Sequence, residues 1–317
     1  MKIKNARILV TGGAGFLGQH VIETLLKKHV PKENIYVPRS ASLDLTKKEN
    51  CAKAVEGQDI VLHLAGKIGG ISFNTAYPAE LFYDNLIMGV QLMNEAYRAG
   101  VEKFVVVGTA CEYPASIPVP FKESDIWNGY PAKETAPYGL AKKMLLVQAQ
   151  AYREQYGFDA IHVIPTNLYG INDNFGSQYN HVIPSLIKKI YEAKLTGAEC
   201  VDVWGTGKAT REFLYVDDAA EGIILATEKY NKPSPLNLGT GKETSIKEIV
   251  QLISSIVGFK GEIKWDASKP DGSLRRSLDV SNAYAEIGFK AKVDLEEGLK
   301  RTVDWYLNKI GMLRAWK

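Results

Sequence analysis

A chain of 317 residues, 45% of them hydrophobic and 24% charged, is long enough to bury a sizeable core and has the makeup of a globular protein rather than a disordered or fibrous one. Its formal net charge of +3 is too small to argue for a nucleic-acid partner, yet it suits an anionic small substrate. No apolar run reaches membrane-spanning length, and Met1-Lys2-Ile3-Lys4-Asn5 leads into the first apolar run without room for a signal peptide, so a cytoplasmic protein with no membrane partner is expected.

Arg7-Ile8-Leu9-Val10 reads as a buried strand, and Val21, Ile22, Leu25 and Leu26 have the spacing of a helix. Between them lie Gly12, Gly13, Gly15 and Gly18, with Phe16 and Leu17 opening the helix. Glycines there permit a tight turn and close backbone approach to a pyrophosphate, while the helix N-terminus offers free N–H groups to the anion. A dinucleotide cofactor is therefore expected. The second strand, Ile35-Tyr36-Val37, runs into Pro38-Arg39-Ser40 with no carboxylate for a ribose hydroxyl. Arg39 suits a 2′-phosphate, which favours NADPH over the alternative of a merely solvated turn arginine.

The runs 59–66, 103–108 and 160–164 read as further buried strands, and helices are expected near 80–99 and 138–156. This alternation predicts an α/β fold: a Rossmann-type, doubly wound parallel sheet with a smaller C-terminal α/β substrate lobe. We assign 1–165 to the NADP-binding part, with a return segment near 212–240, and 166–317 mainly to the substrate lobe. In that lobe Ser245 and Glu248 form a capping box for a helix that Gly258 ends. A last amphipathic helix carries Leu295, Leu299, Val303 and Leu307, with Glu296 and Lys300 spaced to pair. Cys51, Cys111 and Cys200 have no metal-ligand spacing, so free thiols and no metal are expected.

Tyr138 and Lys142 are four residues apart and share one face of a helix. An ammonium beside a phenol favours phenolate and lowers its pKa from about 10, which makes Tyr138 a usable acid for an alkoxide forming at a ketone carbon. Thr109, just beyond the 103–108 strand, can complete such a site with its hydroxyl. Thr109 and Cys111 lie two apart, so an extended chain would point both side chains to one face.

Behind the glycine turn, these residues identify the chain as similar to the extended short-chain dehydrogenase/reductases, and within them to the GDP-L-fucose synthases. The resemblance runs from Ile8 to about Leu307 and is most particular at Lys67-Ile68-Gly69-Gly70-Ile71, Cys111-Glu112-Tyr113-Pro114 and Lys269-Pro270-Asp271-Gly272. It implies a bifunctional NADPH-dependent 3,5-epimerase/4-ketoreductase that acts on a GDP-linked 4-keto-6-deoxy sugar, as a homodimer. It also implies that Cys111 and His181 invert C3 and C5; a thiol and an imidazole, with ordinary pKa values of about 8.5 and 6.5, both cycle near neutral pH. On residue type alone the cysteine equally suits a small core position, and the histidine a cap.

The same resemblance implies that Asp44, Leu45, Leu64, Ala65, Pro165, Asn167, Leu168 and His181 line the cofactor, together with Tyr138 and Lys142. It assigns Asn167, Lys189, Trp204, Arg211 and Asp271 to the sugar nucleotide. Three departures stand out: Thr109 and Ala110 replace two serines, Glu112 sits where an apolar residue is usual, and Lys189 replaces an arginine. The first keeps open a relative that reduces a GDP-linked 4-keto deoxyhexose or heptose without epimerisation. A 4,6-dehydratase would carry an Asp-Glu pair at Ala110-Cys111, and a purely binding module would not need Thr109, Tyr138 and Lys142.

Overall fold

The computed structural model describes residues 2–176, 181–269 and 272–315. The strands are β1 Ile8–Thr11, β2 Ile35–Tyr36, β3 Ile60–His63, β4 Lys103–Val107, β5 Asp159–Pro165, β6 Asn167–Tyr169, β7 Cys200–Trp204, β8 Thr210–Tyr215, β9 Leu236–Leu238, β10 Glu243–Ser245 and β11 Glu262–Asp266. The helices are α1 Phe16–Lys27, α2 Lys48–Val55, α3 Ile71–Ala76, α4 Pro78–Arg98, α5 Ala136–Tyr156, α6 Val182–Thr196, α7 Val216–Lys229, α8 Ile246–Val257, α9 Ser281–Ile287 and α10 Leu295–Ala315.

The apolar runs of β1, β3, β4 and β5 are buried because helices cover the sheet they join. That sheet is parallel, in the order β2-β1-β3-β4-β5-β9, which is the Rossmann-type fold. Strand order reverses between β1 and β3. In open α/β sheets such a reversal opens a crevice at the carboxyl ends of the strands, where ligands sit. The chain leaves this sheet after β5, where the N–H of Thr166 donates to Leu238 O at 2.9 Å. It returns through α7 and β9.

The remaining strands form two small sheets, β10-β8-β6 and β11-β7. Helices α6, α8 and α10 pack over them through Ile187, Ile190, Ile249, Ile253, Leu299 and Val303. The expected capping box forms: the N–H of Glu248 donates to Ser245 Oγ at 3.1 Å, and that of Ser245 to Glu248 Oε2 at 2.8 Å. Gly258 then ends α8 in the left-handed conformation. On α10 the surface pair that forms is Glu297 with Arg301, one position beyond the expected Glu296 and Lys300. Among the described residues no helix is long and apolar enough to cross a membrane.

Candidate active site

At the reversal point, the end of β3 is pinned to the glycine turn. The N–H of Ala65 donates to Thr11 Oγ1 at 3.2 Å, and Thr11 Oγ1 lies 2.9 Å from His63 Nδ1. His63 is fully buried, and burial, with Lys142 nearby, holds its pKa well below the usual imidazole value. The neutral ring and the Thr11 hydroxyl share this hydrogen bond. Gly12 has φ +70°, and a Cβ there would fall 2.9 Å from the backbone of Ala65. A Cβ on Gly18 would fall 2.2 Å from Gly12 O, so α1 lies directly against the turn. Gly15 caps α1 in an extended conformation with no side-chain cap, which leaves the first-turn N–H groups available to an anion.

This cradle fits a dinucleotide pyrophosphate. Gly13 packs beneath Val37, while Phe16 and Leu17 are half-buried at the start of α1. Arg39 is exposed just beyond β2, where a 2′-phosphate would be met. Asp44 accepts from the N–H and Oγ1 of Thr46 at 3.0 and 2.8 Å, and Leu45 is buried. Leu64 and Ala65 are half-buried at the crevice.

The chain after β4 departs from the extended course expected of it. Residues 110–112 form a single 3-10 turn with Thr109 as its cap. The N–H of Cys111 donates to Thr109 Oγ1 at 3.2 Å, and the Glu112 carboxylate accepts from the N–H of Thr109 at 2.8 Å. Thr109 and Cys111 are thus brought together by a capping box, not by strand alternation. Helix α5 lies hard against this turn, since a Cβ on Gly139 would fall 2.2 Å from Cys111 O. Tyr138 and Lys142 on that helix are both buried, Tyr138 close enough to Cys111, and Lys142 to Glu112, to feel its charge.

Lys142 Nζ donates to Ala65 O at 3.1 Å, linking α5 to the crevice. One detail differs from the sequence expectation. The pKa of Tyr138 is raised, not lowered, because burial of the phenol dominates and Cys111 and Glu112 add negative character. Burial also lowers the pKa of Lys142 to about 8, with Glu112 opposing that drop.

Sequence reasoning held no signal for Arg276. Its Nη1 reaches Cys111 Sγ at 3.5 Å, and its Nε is buried without a hydrogen-bond partner. The segment is held by Glu212, whose carboxylate accepts from the N–H of Leu278 at 2.7 Å and of Gly241 at 2.8 Å. A guanidinium 165 residues away in sequence thus sits beside the thiol.

Farther out, Pro165 is buried at the end of β5, and Leu168 packs on the sheet core. Asn167 Nδ2 donates to Glu212 O at 2.8 Å. His181 caps α6 and is solvent-exposed; the protein around it nonetheless lowers its pKa, favouring neutral imidazole. Lys189 Nζ donates to Asp202 O on β7, the strand that ends in exposed Trp204. Lys269 Nζ lies 5.8 Å from the Trp204 ring. Arg211 Nη2 would meet a Cβ on Gly272 at 3.3 Å, which sets Arg211 beside the 272 turn. Asp271 lies outside the described residues. Among the described residues no group of three or more His, Cys, Asp or Glu side chains could hold a metal ion.

A pyrophosphate cradle, a buried Tyr-Lys pair and a half-buried free thiol beside an arginine on a Rossmann-type sheet define a nucleotide-dependent enzyme of carbonyl chemistry. The chain belongs to the NAD dependent epimerase/dehydratase family, whose model matches residues 8–239, and within it to the GDP-L-fucose synthase group. It is 38% identical over 312 residues to GDP-L-fucose synthase 1 of Arabidopsis thaliana, covering 98% of this chain and 96% of that protein. A GDP-6-OMe-4-keto-L-xylo-heptose reductase from C. jejuni superposes with a TM-score of 0.90 at 28% identity, covering 96% and 99% of the two chains. A GDP-L-fucose synthetase from Naegleria fowleri bound to NADP superposes with a TM-score of 0.85 at 29% identity, covering 96% and 94%.

Proposed function

We propose that this protein is an NADPH-dependent 3,5-epimerase/4-ketoreductase that converts GDP-4-keto-6-deoxy-D-mannose to GDP-L-fucose. The observation that carries the reading is the convergence of Cys111, Arg276, Tyr138 and Lys142 at the crevice formed where β1 and β3 end. Likeness to the Arabidopsis enzyme supports GDP-L-fucose as the product, and the NADP-bound Naegleria structure supports the cofactor.

The C4 ketone acidifies the hydrogens on C3 and C5. Cys111 takes such a proton as thiolate, and Arg276 beside its sulfur stabilises that charge. His181, biased toward neutral imidazole, takes up and returns a proton on the opposite face. NADPH, when bound, supplies the hydride that reduces C4. Tyr138 gives its hydroxyl proton to the oxygen at C4, Thr109 donates a hydrogen bond to the same oxygen, and the Lys142 ammonium stabilises the resulting phenolate. The cofactor is held by Gly12, Gly13, Gly15, Phe16, Leu17 and Gly18 at its pyrophosphate and by Arg39 at its 2′-phosphate. Asn167, Lys189, Trp204, Arg211 and Asp271 bind the GDP-sugar.

Likeness to the C. jejuni heptose reductase, with Thr109-Ala110 in place of two serines, favours a second reading in which C4 is reduced without inversion. Cys111→Ser separates the two. The synthase reading expects that variant to lose deuterium exchange at C3 and C5 from solvent, whereas a simple reductase shows no exchange even as wild type. A cytoplasmic homodimer completes the proposal. The dimer is supported by exposed Phe82 and Tyr83 on α4 and Val147 and Tyr156 on α5, and sedimentation of the purified protein tests it.

A further inference from the structure

Directly behind the catalytic turn, Glu112 and His162 meet with side chains that are both 0% exposed. His162 Nε2 lies 2.9 and 3.1 Å from the two carboxylate oxygens, one of which also accepts from the N–H of Thr109. The fit is tight: a Cβ on Gly108 would fall 2.2 Å from Glu112 Oε1 and 2.3 Å from His162 Nε2. His162 Nδ1 is buried and has no partner. A doubly protonated ring would bury an unpaired N–H there, so the geometry suits the neutral tautomer that carries its proton on Nε2. That Nε2–H then donates to the Glu112 carboxylate.

Such a pair is a poor device for stability alone, because apolar residues of similar volume would hold the fold as well or better. Its location suggests another use. Helix α5 packs on the turn at Gly139, where a Cβ would fall 3.3 Å from Glu112 N, so the groups acting on Lys142 are Glu112 on the turn, neutral His63 on β3 and the carbonyl of Ala65. Glu112 is the carboxylate in that set.

We propose that the Glu112–His162 pair is a positioning unit for the catalytic turn: it holds Thr109 and Cys111 in their 3-10 geometry and supplies the negative charge that keeps Lys142 an ammonium at working pH. The inference rests on the roles given above to Tyr138 and Lys142. Lys142 acts as an ammonium, so activity falls as pH rises through its pKa, about 8 in this structure. Removing the carboxylate charge makes the ammonium less stable, and the alkaline fall must move to lower pH.

The test is the pH profile of NADPH oxidation with GDP-4-keto-6-deoxymannose, between pH 6 and 10, for the native enzyme and Glu112→Gln. The expected result is an alkaline limb displaced downward by roughly one pH unit, with activity at pH 9 about tenfold reduced and activity at pH 6.5 within about threefold of native. A purely structural role would lower the whole profile without displacing it. A limb that stays in place, or is missing from the native enzyme, overturns the proposal. Should Glu112→Gln fail to fold, the double variant Glu112→Met/His162→Leu removes the carboxylate and its imidazole partner together, at the cost of the bond from the Thr109 N–H, and the same displacement is expected. Tyr138→Phe is measured alongside. Turnover by that variant removes the assignment of Tyr138 and Lys142 itself, whereas its inactivity beside an unmoved Glu112→Gln profile removes only the role of Glu112.

Discussion

Gly18→Ala is the sharpest probe of the cofactor cradle. The added methyl would lie 2.2 Å from Gly12 O, 2.5 Å from Gly13 Cα and 2.7 Å from Gly13 C, all backbone atoms with no flexible end to yield. Ordinary contact begins near 3.4 Å, so α1 must retreat from the turn by about 1 Å. Overpacking of this kind costs about 1–3 kcal/mol, and alanine returns about 1 kcal/mol through its better helix propensity. The net loss of about 0–2 kcal/mol lowers Tm by about 3 °C at most for a chain this long. Cofactor binding suffers more. Losing one charge-assisted bond from the displaced first turn of α1, at about 1.5–3 kcal/mol, weakens NADPH roughly tenfold to a hundredfold. Fluorescence titration of NADPH at fixed ionic strength, paired with thermal melting, reads both. Affinity within threefold of native would refute the cradle, and a fall in Tm beyond about 10 °C would show general core damage instead.

Three further outcomes follow from the geometry. Tyr138→Phe should lower kcat about 10²–10⁴-fold while NADPH affinity stays within about threefold, measured by steady-state kinetics and titration. Arg276→Gln, which removes the cation beside the Cys111 sulfur, should slow solvent-deuterium incorporation at C3 and C5 by tenfold or more, with a smaller effect on hydride transfer to a substrate already epimerised. Burial raises the Asp173 carboxyl from 3.8 to about 7 and leaves Oδ2 without a partner. The folded state therefore holds its proton where the unfolded chain has released it, and stability falls as pH rises through that window, by up to roughly 4 kcal/mol. Asp173→Asn should accordingly raise the Tm of the cofactor-free protein at pH 8 and leave it nearly unchanged at pH 4, as read by calorimetry.

What the sequence made legible is what chain neighbours decide. The glycine turn, the one-turn spacing of Tyr138 and Lys142 and the Ser245–Glu248 capping box are local patterns, and each forms. The turn at Thr109 is not extended because Glu112, a departure from the family pattern, is the third residue of a capping box. Its partner, His162, stands 50 residues downstream on β5, and only the register of β4 with β5 brings the two together. Arg276 reaches Cys111 because Glu212 gathers the 239–241 and 276–278 segments around one buried carboxylate. The rise in Tyr138 pKa depends on burial, which no spacing encodes. Long-range packing, not residue type, separates what was read from what was not.

The most direct test of the central claim is one incubation: purified protein, NADPH and GDP-4-keto-6-deoxymannose in heavy water, followed by loss of NADPH absorbance and by NMR of the product. The proposed function requires NADPH to be consumed and deuterium to appear at both C3 and C5 of the sugar. Consumption of NADPH with protium retained at both carbons would contradict it, leaving Cys111, Arg276 and His181 without a part in catalysis and the enzyme a simple 4-ketoreductase.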